Sequence, residues 1–253
     1  VDILRGLLRI SRADADVLAT YVRDFTERHG VRPTAAEAYR DGYAPRSARA
    51  QHGSWFGFLK STGVLAGQEA LAWADAAEFL DALETTPMSK SYNMVVVLAM
   101  LNEDCLPGQI SIEALTDTVR EFGSRRSQVA ADFGDAFATD AALRRQLQEN
   151  PIAAWTAGLG TGGAQYFRYE QGSFASTMLV SEALRPTVQE LIRELAEWRL
   201  AEYLDRPGPA VDGVWNLEVH REEGNPVLAP LNRQSNPGLP VGWTPIQADR
   251  RDY

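Results

Sequence analysis

Apolar positions along the first third of the chain recur at helical spacing in short, punctuated runs. A helix is predicted over 12–29, capped by Ser11 and closed by Gly30, with Val17, Tyr21, Val22 and Phe25 along one face. Thr34 and Glu37 stand at capping-box spacing and start a second helix that Gly42 ends. Pro45 opens a third over 45–51, where its missing N–H costs nothing. Ser54 caps a fourth, which turns Trp55, Phe58 and Leu59 inward and stops at Gly63. Residues 68–84 then read as an acidic amphipathic helix with Leu71, Ala74, Phe79 and Leu83 buried.

Beyond Pro87 the run SKSYNMVVVLAMLNE is apolar on most sides of a helix, which places it at the centre of a core. Further helices are predicted after Ser111, over 140–149, from Pro151, and over 181–204. Between the last two the period changes: QYFRYEQGSFAST alternates as two short strands around a turn at Glu170–Gly172. From Arg206 the composition shifts to Pro, Gly and Asn, with a hairpin predicted about Glu223–Asn225 and a further edge strand after Gly238. The expected fold is mainly α: a helix-turn-helix module (1–65), a winged-helix-like helical domain (66–205) and a small β-rich appendage (206–253).

Charge sharpens this picture. The chain has a formal net charge of −9, yet no acidic residue stands between Asp41 and Glu69, a window that carries Arg46, Arg49, His52 and Lys60. The charge is partitioned, with the opening module basic and residues 66–104 strongly acidic. Phosphate contact by the short helices explains an acid-free window in an acidic protein. Arg46, Ser47, Arg49, His52, Ser54 and Lys60 are therefore candidate DNA-binding residues. The pairs Arg125–Arg126 and Arg144–Arg145 bracket the second helical region, and Arg168 lies on the first hairpin strand. In a winged helix the hairpin and the helix before it touch DNA, so Arg144, Arg145 and Arg168 join the candidates. The same arginines also suit a salt-bridged surface with Asp140, Glu149 and Glu170. Trp55, Phe56 and Phe58 could stack bases, although the spacing of Trp55 and Phe58 favours the core.

Other chemistry finds little footing. One cysteine, Cys105, excludes a disulfide framework and points to a reducing, cytoplasmic setting. His29, His52 and His220 lack companions at metal-ligand spacing. The loop GLGTGG (158–163) precedes a strand and has no Lys-Ser/Thr after it, so it reads as a connector and not as a phosphate cradle. Glu218, Glu222 and Glu223 flank His220, a pattern that suits a solvated strand face or, less directly, a nuclease. No cofactor, metal or catalytic group is expected, and no apolar run approaches membrane-spanning length. The chain starts at Val1 and is expected to be a piece of a longer protein.

Two stretches carry resemblances. Gly30, Pro33, Thr34, Glu37, the run Arg46-Ser47-Ala48-Arg49, then Gly53-Ser54-Trp55, Leu59 and Gly63 resemble the helix-turn-helix repeats associated with homing endonucleases and HNH proteins. That likeness implies that the Arg46–Arg49 helix and the start of the next one face DNA. Residues 84–204, and the VWNLEV…GWTPI tail, resemble the C-terminal region of bacterial DEAD/DEAH-type superfamily II helicases of defence and restriction systems. The motor's Walker A lysine and acidic box are absent, so what the likeness implies is an accessory role on duplex DNA beside a helicase motor or nuclease domain. The string KSYNMVVVLAML is similar to the opening of sulfur-binding domains, which read phosphorothioated DNA; Lys90, Tyr92 and Asn93 would sit at the modified phosphate. Three readings stay open: a DNA-binding accessory region, a reader of phosphorothioate-modified DNA, and a protein-interaction module that docks on a motor or nuclease through the acidic 66–104 stretch and the tail.

Overall fold

A computed structural model describes residues 15–206 and the strands 217–222 and 225–230. The chain divides into two compact units, Val1–Asp205 and Arg206–Tyr253. The first is mainly helical with a small three-stranded open sheet. The expected boundary between residues 65 and 66 falls inside it, and one buried cluster runs from Leu18 through Trp55, Phe79 and Met94 to Leu200.

The opening helices form where their caps put them. Helix α1 (Ala15–His29) ends at Gly30, and its buried stripe is Leu18, Tyr21 and Val22. Val17, expected on that stripe, is exposed. The Ser11 cap and residues 12–14 lie outside the described residues. Helix α2 (Ala35–Arg40) starts on the Thr34–Glu37 capping box, whose two reciprocal bonds are both made. The third element splits: Pro45–Ala48 is a 3-10 turn and α3 is only Arg49–His52. Helix α4 (Trp55–Ser61) is capped by the Ser54 hydroxyl and buries Trp55, Phe56, Phe58 and Leu59. Phe56 is thus a core residue, not a stacking platform.

Helix α5 (Gly67–Thr85) buries Ala72, Ala76, Phe79, Leu80 and Leu83. That stripe follows i, i+4, i+7, i+8 and leaves Leu71 and Ala74 on the solvent side, which corrects half of the expected face. Helix α6 (Tyr92–Asn102) is buried on nearly every side, as its composition predicts. Strand β1 (Gln109–Ser111) precedes α7 (Ile112–Ser124), which is capped by Ser111. Then come α8 (Ser127–Phe133), α9 (Asp140–Leu147), a π-turn through Pro151, and α10 (Ala153–Thr156).

Strands β2 (Phe167–Glu170) and β3 (Ser173–Ser176) pair around Gln171 and Gly172, both at positive φ, as a tight two-residue turn requires. Strand β1 adds to the free side of β3, giving the antiparallel order β1-β3-β2. Its cross-strand rows are Gln109–Ala175–Arg168 and Ile110–Phe174–Tyr169. The second row packs inward, and Phe167 stacks on Phe174 with ring centroids 4.7 Å apart.

Helix α11 (Arg185–Leu204) closes the unit, starting four residues later than its periodicity predicts. It packs against α2, α5 and α6 at once. In the second unit, β4 (Leu217–Glu222) pairs antiparallel with β5 (Asn225–Pro230), from Leu217↔Pro230 to Glu222↔Asn225. The edge strand expected after Gly238 lies outside the described residues.

Candidate nucleic-acid interface

The arginines of the opening module, Arg32 before the acid-free window and Arg46 and Arg49 within it, find their acids on later helices. Arg32 donates to Glu69 at 2.8 and 2.9 Å and also pairs with Glu194 at 2.9 Å. Arg46 pairs with Glu202 at 2.5 Å, and Arg49 stands 3.7 Å from Glu84. Glu194 and Glu202 come from α11, Glu69 and Glu84 from α5. The basic surplus of the first helices therefore answers acids contributed from later in the chain.

Two of these acids are buried. Glu194 receives the Ala35 amide at 2.8 Å, the Trp55 indole N–H at 2.6 Å and the Arg32 guanidinium. Burial pushes its carboxyl up, while Arg32, the Ala35 amide and the Trp55 indole pull it back. Glu84 accepts the Trp55 amide at 2.9 Å, and its other oxygen has no hydrogen-bond partner among the described residues. Burial outweighs that bond and the charges of Arg49 and Arg199, and pushes the Glu84 carboxyl up to about 7. Beside it, buried Arg199 donates to the carbonyls of Leu83, Glu84 and Thr86, closing the C-terminal end of α5.

The hydroxyls of the window are spent locally. Ser47 donates to the Ala44 carbonyl at 2.7 Å, and buried Ser54 accepts the Gly57 amide at 3.1 Å. His52 packs edge-on against Phe58 at 5.4 Å. Lys60 is exposed, with its ammonium 4.8 Å from the Trp73 ring centroid. Arg46 and Arg49 keep about 45% and 39% of their side chains open to solvent, so each guanidinium is paired on one flank only.

Lys90 and Tyr92 converge on an acid instead of an anion site. Lys90 stands 3.5 Å from Asp132, and the Tyr92 hydroxyl donates to the Asp132 carbonyl at 2.6 Å. The Ser91 amide and the Tyr203 hydroxyl each donate to the Asp132 carboxylate at 2.8 Å. A modified phosphate placed here would meet that carboxylate.

The helix and hairpin of the second region are differently disposed. Arg144 is 3.3 Å from Glu113, and Arg120 joins Asp140 at 2.5 Å, so α7 and α9 are tied by two ion pairs. Arg145, one residue on, is exposed and makes no ion pair or hydrogen bond among the described residues. One turn later the Gln148 amide donates to the Tyr169 hydroxyl at 2.7 Å, fixing the end of α9 against β2. Arg168, beside Tyr169, is exposed on the outer face of the sheet, and its side chain has no partner among the described residues. The Glu149 and Glu170 partners that the sequence offers to these arginines are not taken up.

The loop 158–163 serves packing. A Cβ on Gly160, at φ +83°, would fall 2.8 Å from Pro87 and 3.0 Å from Thr86, and the amides of Leu159, Thr161 and Gly163 are bonded within the loop region. Among the described residues no group of three or more His, Cys, Asp or Glu side chains is placed to hold a metal ion. No described helix is long and apolar enough to cross a membrane. Sequence reasoning missed Arg40 and Arg193, which stand with Arg126 around one cleft. Their sequence separation hides them, and no local pattern announces them. Compared with known proteins, the chain matches no family model, no curated protein and no solved structure.

Proposed function

We propose that this chain is a non-catalytic DNA-binding region that engages duplex backbone through α9 and the β2–β3 hairpin, as an accessory part of a helicase or restriction enzyme. The observation that carries the reading is the pair Arg145 on α9 and Arg168 on β2, both exposed and without a side-chain partner among the described residues. The element order supports it. A helix, a strand, helices and then a hairpin, with the first strand joining the sheet beside β3, follow the order of a winged helix. Two guanidiniums held on rigid elements suit phosphate, which they can meet through planar paired donors.

Arg46, Arg49 and Arg144 take a secondary place in this reading, because each already faces a carboxylate. Lys60 meets no carboxylate among the described residues and can add a contact from the first helices. The net charge of −9 gives no long-range attraction to DNA, so binding rests on these local groups and falls with salt. Fluorescence anisotropy on a 20-bp duplex tests it. At low salt the chain should bind, and Arg145→Ala and Arg168→Ala should each weaken binding equally across sequences and lower the salt slope by about one. No binding at low salt, or unchanged binding in the double variant, overturns the proposal.

A further inference from the structure

Arg49 and Glu84 face each other across a gap that neither closes. The Arg49 Nε and the Glu84 Oε1 are buried, stand 3.7 Å apart and have no hydrogen-bond partner among the described residues. The two side chains differ in their freedom. Glu84 is 1% exposed and its other oxygen is fixed by the Trp55 amide, so the carboxylate cannot turn to water. Arg49 keeps 39% of its side chain in solvent, so the guanidinium is the partner that can turn away.

The groups around the pair decide what that turn costs. Asp81, one turn earlier on α5, is exposed; it repels the Glu84 carboxylate and attracts Arg49. Arg199 of α11 is the other cation, but its guanidinium is committed to the carbonyls of Leu83, Glu84 and Thr86, and its Nε lies 3.6 Å from Glu202. Its charge supports the Glu84 carboxylate less than that of Arg49 does. Once Arg49 leaves, Glu84 is a buried charge beside a second acid, with its nearest cation gone. Holding that charge costs more than taking up a proton, and burial already favours the neutral acid. Arg46 shows the contrast. Its partner Glu202 is 20% exposed, and a carboxylate that reaches water can keep its charge when its arginine moves. His52, three residues after Arg49, packs on Phe58 and is the competing source of pH-dependent charge at this turn.

We infer that Arg49 is a proton-gated contact for a tetrahedral oxyanion: an ionised Glu84 holds the guanidinium, and a protonated Glu84 releases it to the anion. Anion binding at Arg49 therefore takes up one proton from solvent on Glu84 Oε1, and the coupling is reciprocal. The inference rests on the DNA reading only for phosphate as the natural anion, and its test uses no DNA. The probe is sulfate, whose charge is constant between pH 5 and pH 8, added to the full chain at fixed ionic strength. Nitrogen NMR follows the Arg49 Nε–H, and carbon NMR follows the Glu84 carboxyl. Sulfate should bind at Arg49 about fivefold or more tightly at pH 5 than at pH 8, and should raise the midpoint of the Glu84 titration. Glu84→Gln should bind at the pH 5 strength throughout, with circular dichroism checking its fold; if it is unfolded, the carboxyl titration of the natural chain decides. His52→Gln and Glu202→Gln should each leave the pH dependence in place. No sulfate at Arg49 at either pH, equal affinity at both, or a Glu84 midpoint that ignores sulfate would overturn the inference. So would a pH dependence that survives Glu84→Gln or vanishes in His52→Gln. A chain that fails to bind a 20-bp duplex yet shows the sulfate linkage refutes the DNA reading alone.

Discussion

At Glu84 a carboxyl is buried with the Trp55 amide on one oxygen and only a distant guanidinium, 3.7 Å away, for the other. Its value of about 7 in the folded chain lies above the ordinary 4.5. Between those limits the native state holds a proton that the unfolded chain has released. Stability therefore falls as pH rises through this window, by about 3 kcal/mol in all. Urea midpoints at pH 5 and pH 8 should show the loss in the natural chain, and Glu84→Gln should flatten it. A variant with the same pH dependence as the natural chain would place the titration elsewhere. Residues that act locally are readable in sequence: Thr34, Ser54 and Ser111 cap the helices they precede, and Glu37 completes the capping box of Thr34. Glu84 and Glu194 were not, because their partners lie 29 and up to 162 residues away and no periodicity links them.

Elements followed their patterns where the pattern was strong and slipped where a neighbour decided the phase. Helix α6 was unmistakable because nearly every position is apolar. Helix α5 alternates alanine with larger residues, so two adjacent stripes compete, and packing against α11 selects the one through Ala72 and Ala76 over the one through Leu71. Strand β1 is three residues long and becomes a strand only because β3 arrives more than 60 residues later to pair with it. The hairpin turn was legible, yet its first residue is poorly chosen: Gln171 sits at φ +50°, where asparagine is favoured. Gln171→Asn should raise stability by about 0.5–1 kcal/mol, read as a higher melting temperature, while Gly172→Val should lower it.

On the scale of the whole molecule, the opening short helices and the later helices belong to one compact unit. Trp55 bonds through its indole to Glu194 and through its amide to Glu84, and the Ala35 amide also ends on Glu194. A fragment of residues 15–65 should therefore remain largely unfolded by circular dichroism, with its tryptophan emission red-shifted, while the chain through residue 206 unfolds in one transition. A folded fragment would show that these buried bonds are dispensable. The sequence announced a basic module and an acidic helix as separate facts. Only the fold shows that Arg32 and Arg49 of the first meet Glu69 and Glu84 of the second, while Arg46 turns to Glu202 of α11, since complementary charge in sequence does not say which helices will touch.

That pairing changes what an anion would encounter at the first helices. Glu84 and Glu202 are resident competitors, already occupying one flank of Arg49 and Arg46. A phosphate arriving there does not fill a vacancy; it must exchange with a carboxylate. The exchange at Arg49 would strip a buried acid of its nearest cation. Any affinity gained at that end of the molecule is therefore a difference between two ion pairs, and its dependence on added salt will be shallower than the number of arginines suggests.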